Sequence, residues 1–147
     1  MIEINLMEGM TMRIIRILNM VLLTFVASAI LGVGLASAAA LNIKVKDGIG
    51  SYLVDDKGMT LYLFKKDAPG KSVCASGGCL EKWPIYYAEK IEPADGIDAT
   101  AIGVITRDDG KKQSTYRGLP LYYFIKDKDG DDVYGQGVNN VWFVVAP

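Results

Sequence analysis

Gly58-Met-Thr-Leu-Tyr62-Leu-Phe64-Lys-Lys-Asp67 recurs sixty residues on as Gly118-Leu-Pro-Leu-Tyr122-Tyr-Phe124-Ile-Lys-Asp127. Extending the match upstream pairs Ile43-Lys-Val-Lys-Asp47-Gly48 with Ile105-Thr-Arg-Asp108-Asp109-Gly110, and extending it downstream pairs Gly78 with Gly137 and Trp83 with Trp142. Two related blocks, about 41–88 and 101–146, therefore make up almost all of the chain after residue 40. A unit repeated in this way usually cannot bury its apolar face alone and stacks on its twin. Within the blocks, short β-type segments alternate with turn signals: Leu41–Lys46, Gly50–Val54, Thr60–Lys65, Trp83–Tyr87, Ala101–Arg107, Lys111–Arg117, Leu119–Lys126 and Asn140–Val145. That predicts four strands per repeat. Asp55-Asp-Lys-Gly58 and Asp127-Lys-Asp-Gly130 carry Asp at the first and Gly at the fourth turn position, as a type I turn favours, and Pro69-Gly70 suits a type II turn. In the motif strand Tyr62 and Phe64 share one face and Leu61 and Leu63 the other, because side chains alternate; Tyr122 and Phe124 stand likewise opposite Leu121, Tyr123 and Ile125. Strands apolar on both faces belong in mid-sheet or at a seam between sheets. The expected fold is all-β: two four-stranded antiparallel repeats related by a pseudo-twofold, forming a small sandwich or closed barrel. Two blades fall short of a propeller, and Glu89–Thr100 reads as the connector between repeats.

The 147 residues are 50% hydrophobic and 22% charged, ordinary for one globular domain, but the average conceals a division. No charged residue occurs from Ile17 to Ile43, Arg13 and Arg16 lie just before, and Ala36-Ser-Ala38-Ala39-Ala40 closes the run. A basic start, an apolar stretch and an Ala-x-Ala exit predict a secretory signal peptide over residues 1–40, with translation starting at Met10 or Met12. The alternative is an uncleaved anchor, since about 20 apolar residues span a bilayer, and membrane association would then run through residues 17–43. Either way residues 41–147 form a single β domain outside the cytoplasm. The leader carries two basic and two acidic residues, so its loss leaves the net charge of −1 unchanged. No basic stripe remains that would suit nucleic acid.

Tyr-x-aromatic-x-x-Asp, present twice, resembles the secreted repeat family described as lipoproteins with a conserved Yx(FWY)xxD motif. The likeness extends to the cysteine pair followed by Trp83-Pro84, to Val104-Ile-Thr-Arg-Asp-Asp-Gly110, and to Gly135-Gln-Gly-Val-Asn139 before Trp142. The resemblance implies an envelope protein of bacteria or archaea, without an established biochemical activity. Two departures are visible. No cysteine follows the apolar run to accept a lipid, and Phe143 stands where relatives often carry His or Tyr.

Chemistry is constrained most by what is missing. The chain has no histidine, so Ser-His-Asp and Cys-His nucleophile systems and His-ligated copper are excluded. Cys74 and Cys79, the only cysteines, stand in Cys-Ala-Ser-Gly-Gly-Cys, which is neither Cys-x-x-Cys nor a haem attachment sequence. Outside the cytoplasm they are expected to form a local disulfide, with a redox-active pair as the competing reading. Two thiols alone leave half of a zinc shell unsupplied. Asp127, Asp129 and Asp131 alternate like the first half of a calcium loop, yet the sixth and twelfth positions are Asp132 and Val138 rather than Gly and Glu. A polar turn is therefore favoured over a metal site, with Asp67 and Asp127 closing Asx turns on their own backbone. No cofactor is expected.

The motif residues Tyr62, Phe64, Asp67, Tyr122, Phe124 and Asp127, with Trp83, Trp142 and Tyr123, supply either an aromatic core or a stacking platform, and their size favours the core. Tyr86, Tyr87 and Tyr134 fall outside the repeated core positions and are the expected exposed contacts. Together these readings describe an exported cell-envelope protein acting as a non-catalytic binding or interaction module for an unidentified partner or ligand. A redox accessory using Cys74 and Cys79, and a calcium-dependent adhesion module, are the alternatives.

Overall fold

The computed structural model describes residues 38–75 and 78–147. The expected leader, signal or anchor, lies outside the described residues. No helix among the described residues is long and apolar enough to cross a membrane.

Strands β1 (Ala39–Lys46) and β2 (Gly50–Val54) form a hairpin, followed by β3 (Tyr62–Phe64), a one-turn helix α1 (Cys79–Lys82) and β4 (Ile91–Pro93). The second half runs through a 3-10 turn (Ala99–Ala101), the hairpin strands β5 (Ile102–Thr106) and β6 (Lys112–Tyr116), β7 (Leu119–Pro120), a second 3-10 turn (Val138–Asn140) and β8 (Trp142–Val144). They pair as β2-β1-β4, β3-β8 and β5-β6-β7. The mostly-β expectation holds, but the sheets are small and no barrel closes.

The reason is visible at the centre. Tyr62 and Tyr122 exchange both backbone hydrogen bonds, Tyr62 N to Tyr122 O at 2.9 Å and Tyr122 N to Tyr62 O at 3.0 Å. The two copies of the motif therefore pair antiparallel on their own pseudo-twofold axis. On one side β3 continues to β8 through Tyr62↔Val144 and Phe64↔Trp142. On the other, Tyr123 N bonds Pro84 O at 2.8 Å and Ile125 N bonds Lys82 O at 2.9 Å. The result is a central layer of four extended segments, each repeat's motif flanked by the tail of the other. Interlocking replaces closure.

The hairpins are the outer wings. Leu53 N donates to Val145 O, Leu61 N to Leu53 O and Val145 N to Leu61 O; Ser114, Leu121 and Tyr86 repeat the same triangle. One hydrophobic cluster covers one face of the layer (Leu41, Leu53, Leu61, Tyr86, Ile97, Tyr116, Leu121, Val145). The other face carries Tyr62, Cys74, Trp83, Tyr122, Phe124 and Trp142. Alternation thus sorts the motif as its two apolar faces predict.

Four details differ from expectation. Trp83–Tyr87 is not a regular strand: α1 ends at Lys82 and the segment reaches the layer through an isolated Ile85↔Tyr122 bridge. Only Leu119–Pro120 of the expected strand Leu119–Lys126 is regular, because Tyr122 is shared between two neighbours, and Ile125 is exposed. The connector holds β4, parallel to β1. Finally, Lys46 O accepts Ile49 N and Arg107 O accepts Gly110 N, so the hairpins superpose with Ile49, not Gly48, opposite Gly110. Downstream, Gly78 and Gly137 do correspond, both left-handed (φ 73° and 77°) and each opening a short helical turn five residues before its Trp.

Candidate functional site

The motif's three residue types have separate jobs. Its central aromatics make a ladder of rings across the pseudo-twofold: Phe64 stacks on Trp142 at 4.3 Å, Trp142 on Trp83 at 3.8 Å and Trp83 on Phe124 at 4.2 Å. The rings alternate between repeats. Tyr62 meets Trp83 edge-on at 5.5 Å, and Tyr122 meets Trp142 edge-on at 5.2 Å. Offset stacks and edge-to-face contacts are the favoured aromatic geometries, each adding roughly 0.5–1.5 kcal/mol beyond burial. Tyr123 lies on the opposite face, edge-on to Tyr86 at 5.6 Å, and its hydroxyl donates to Asp55 at 2.8 Å. It is no part of the ladder.

The tyrosine hydroxyls reach across the axis to the other repeat's aspartate. Tyr62 donates to Asp127 Oδ2 at 2.5 Å, and Tyr122 donates to Asp67 Oδ2 at 2.7 Å. Each aspartate's second oxygen accepts a backbone N–H from its own loop, Tyr134 N for Asp127 (3.0 Å) and Val73 N for Asp67 (2.7 Å). These bonds span seven and six residues, so the aspartates close wide loops rather than the expected Asx turns. A loop-closing acceptor that also accepts a hydrogen bond from a tyrosine hydroxyl needs both carboxylate oxygens at a short reach. Burial holds the Asp67 and Asp127 carboxyls above the ordinary range, against the hydrogen bonds that lower them. Burial first, and then the bonded carboxylates, push the hydroxyls of Tyr62 and Tyr123 well up. For Tyr122 burial also raises the hydroxyl, aided by Asp67 and opposed by Ser72.

Two different clamps hold the two loops. On one side Arg107, its side chain 2% exposed, donates to Ser72 Oγ at 2.7 Å, to Cys74 O at 2.7 Å and to Gln113 Oε1. Ser72 in turn bonds the Tyr122 hydroxyl at 2.6 Å. The same loop is stapled by the Cys74–Cys79 disulfide, which forms as expected, with Cys74 buried among the aromatics. On the other side Lys46 Nζ donates to Asp131 O at 2.6 Å and Lys44 Nζ to Gly130 O at 2.6 Å, while Lys44 pairs with the exposed Asp131 carboxylate. Here Gly135 takes the place of a side chain: a Cβ would lie 2.6 Å from the Tyr62 ring and 3.0 Å from Trp83.

This arrangement disperses the calcium candidates. Asp127 is turned to Tyr62 and Tyr134, and Asp131 to Lys44, while Asp132 rather than Asp129 accepts the Lys128 and Asp129 amides. The turn expected at Asp127–Gly130 lies instead at Asp129–Asp132, closed by Asp132 N to Asp129 O at 3.0 Å. No group of three potential metal ligands occurs among the described residues. The turns at Asp55–Gly58 and Ala68–Lys71 form as expected, with Gly70 at φ 78°.

The two blocks match the family described as a secreted repeat of unknown function, over residues 44–86 and 103–146. The chain belongs to this family. No curated protein and no solved structure matches it. The secreted description, together with the disulfide, places the domain outside the cytoplasm. Each matched block of the secreted repeat contains one copy of the motif, and the structure shows why one copy is insufficient: every Tyr–Asp bond and every Trp–Trp contact crosses between copies.

At the outer end of the ladder Phe124 forms one wall of a groove of about 540 Å³ shared with Lys126, Tyr134 and Val138. Tyr134 is 65% exposed, whereas Tyr86 is buried, contrary to the expectation that both are surface contacts; Tyr87 is exposed as expected. Reading the chain residue by residue misses Arg107, Ser72 and Gln113. Arg107 stands in an Arg-Asp-Asp-Gly turn that looks like solvated surface, and only its place opposite the cysteine loop gives it a role.

Proposed function

We propose that this secreted repeat is a non-catalytic binding module of the cell envelope, and that the groove beside Tyr134 is its contact face. The observation that carries the reading is the exposure of Tyr134. Where Asp67 bonds Val73 N, Asp127 bonds Tyr134 N, so a ring stands at the loop position that the first repeat fills with valine. With Lys126 alongside, the groove suits a ring-bearing ligand such as an envelope glycan, taken by stacking and one charge-assisted hydrogen bond. Ligand pockets commonly combine an apolar lining with a few polar groups in this way. The motif aspartates and tyrosines are engaged with one another and with loop backbone, which favours a binding reading over an enzymatic one.

The test is an NMR titration of the domain with fragments of envelope polysaccharide. Shifts confined to Tyr134, Lys126 and Val138, and abolished in Tyr134→Ala, are the expected result. Equal shifts in the variant, or none at all, would sink the reading.

A further inference from the structure

The pseudo-twofold is broken at one sheet edge. In the first repeat β1 is flanked by β4, and Leu41 O accepts Ala94 N at 2.8 Å while Ala39 N donates to Lys90 O at 2.9 Å. Its counterpart in the second repeat is β5, with Ile102 standing where Leu41 stands. The bonds Arg107 N to Lys111 O and Arg117 N to Ala101 O show that residues 101, 103, 105 and 107 turn their backbone groups toward β6. Residues 102, 104 and 106 therefore turn theirs outward. Ile102 N is satisfied by Ala99 O. For Ile102 O, Val104 N and O, and Thr106 N there is no partner among the described residues.

The edge of β4 away from β1 is open as well. Lys90, Glu92 and Ala94 face β1, leaving Ile91 N and O and Pro93 O outward; Pro93, which has no N–H, occupies the outward position that costs no ladder bond. The two open edges line one groove of about 320 Å³, with Ile91 and Pro93 on one wall, Ile102 to Val104 on the other, and Ala88 and Ala99 as small residues between. Val104 is 49% exposed.

We infer that this groove takes an extended peptide of a partner protein, which adds as a strand to β5 and lies against β4. The occupant is argued from the molecule itself: its own extended Lys90–Ala94 segment already fills the matching place on β1. Unpaired strand edges recruit extended chains, main-chain hydrogen bonds supplying affinity and alternate side chains specificity. Three paired residues span about 10 Å. Small residues along the groove let a backbone approach closely, and the apolar Ile91 and Ile102 favour β-branched side chains at alternate positions. This site is separate from the Tyr134 groove and stands or falls without it.

The probe is the acetylated, amidated pentapeptide Lys-Ile-Glu-Val-Ala, which copies Lys90–Ala94 with valine for proline so that both edges find a donor. Added at millimolar concentration to the full domain, it is expected to slow hydrogen exchange of the Val104, Thr106 and Ile91 amides at least about tenfold. The same peptide N-methylated at alternate residues is expected to give no protection. Val104→Pro, whose lost N–H points outward, should keep the fold and lose the effect. Should that variant unfold, the N-methylated peptide alone decides. Absence of protection, protection that survives N-methylation, or protection that grows with protein concentration without peptide would each overturn the inference; the last would mean that a second copy fills the edge.

Discussion

The two Tyr–Asp latches use the same motif and are secured by different means. The Asp67 latch sits behind a buried arginine, a serine relay and a disulfide, whereas the Asp127 latch is held by Lys44 and Lys46 near the surface. The difference shows what the duplication conserves and what it leaves free. The pairing of strands, the ring ladder and the crossed hydroxyl–carboxylate bonds are common to both halves, because each half is completed by the other. The clamps on the loops are local, and two local solutions serve. One loop became a sealed staple, and the other kept an exposed tyrosine beside a groove.

The severest way to test the shared part is to remove one ring from the ladder. Trp83→Ala and Trp142→Ala are each expected to cost about 3–5 kcal/mol, read from urea unfolding. Near-equal values would support the pseudo-twofold; a loss in only one variant would break it. Arg107→Met strands Gln113 Oε1 and Cys74 O and should cost about 3 kcal/mol, whereas Lys46→Met, at the equivalent hairpin position, should cost under about 1 kcal/mol. If both cost the same, the contrast between buried and surface clamps is wrong.

Reducing the disulfide, or replacing Cys74 and Cys79 by Ser, should cost about 2 kcal/mol from the short loop it closes. Loss of amide protection is expected around Asp67–Val73 and not around Asp127–Tyr134. Tyr122→Phe and Tyr62→Phe each remove one latch bond, worth about 1.5–3 kcal/mol with a charged acceptor.

Titration of stability with pH separates the two ends of those bonds. The hydroxyls of Tyr62, Tyr122 and Tyr123 titrate higher in the folded chain than in the unfolded one. Their contribution is complete below the ordinary tyrosine value of about 10 and is lost as pH rises beyond it. Stability should fall steeply there, and less steeply in the Tyr→Phe variants. Asp67 and Asp127 act in the same direction at the acid end, where stability rises as pH falls. Their raised folded values mean that protonation relieves a burial cost as pH falls toward the ordinary carboxylate range. Asp67→Asn should flatten that part of the curve.

Much of this was legible in the residues. The duplication follows from the repeated motif, the export context from the leader's composition, the disulfide from that compartment, and the placing of Tyr62 and Phe64 on one face from alternation, which is a local rule. The glycines before each tryptophan are legible as equivalents. The hairpin register is not, because Gly48 and Gly110 look equivalent in sequence while hydrogen bonding places Ile49 opposite Gly110. A strand was expected at Trp83–Tyr87 because the segment is apolar, but the left-handed Gly78 and the cysteine loop wind its approach into α1.

The sequence by itself determined that two copies must complete each other, since each motif strand is apolar on both faces and neither repeat has enough partners. Only the tertiary structure decided how. Which tyrosine meets which aspartate, that four rings stack alternately, that Arg107 is buried and that β5 keeps an open edge are all relations between residues tens of positions apart. Local periodicity carries no information about such pairs, because their energy arises when burial brings them together and makes an unmade hydrogen bond costly.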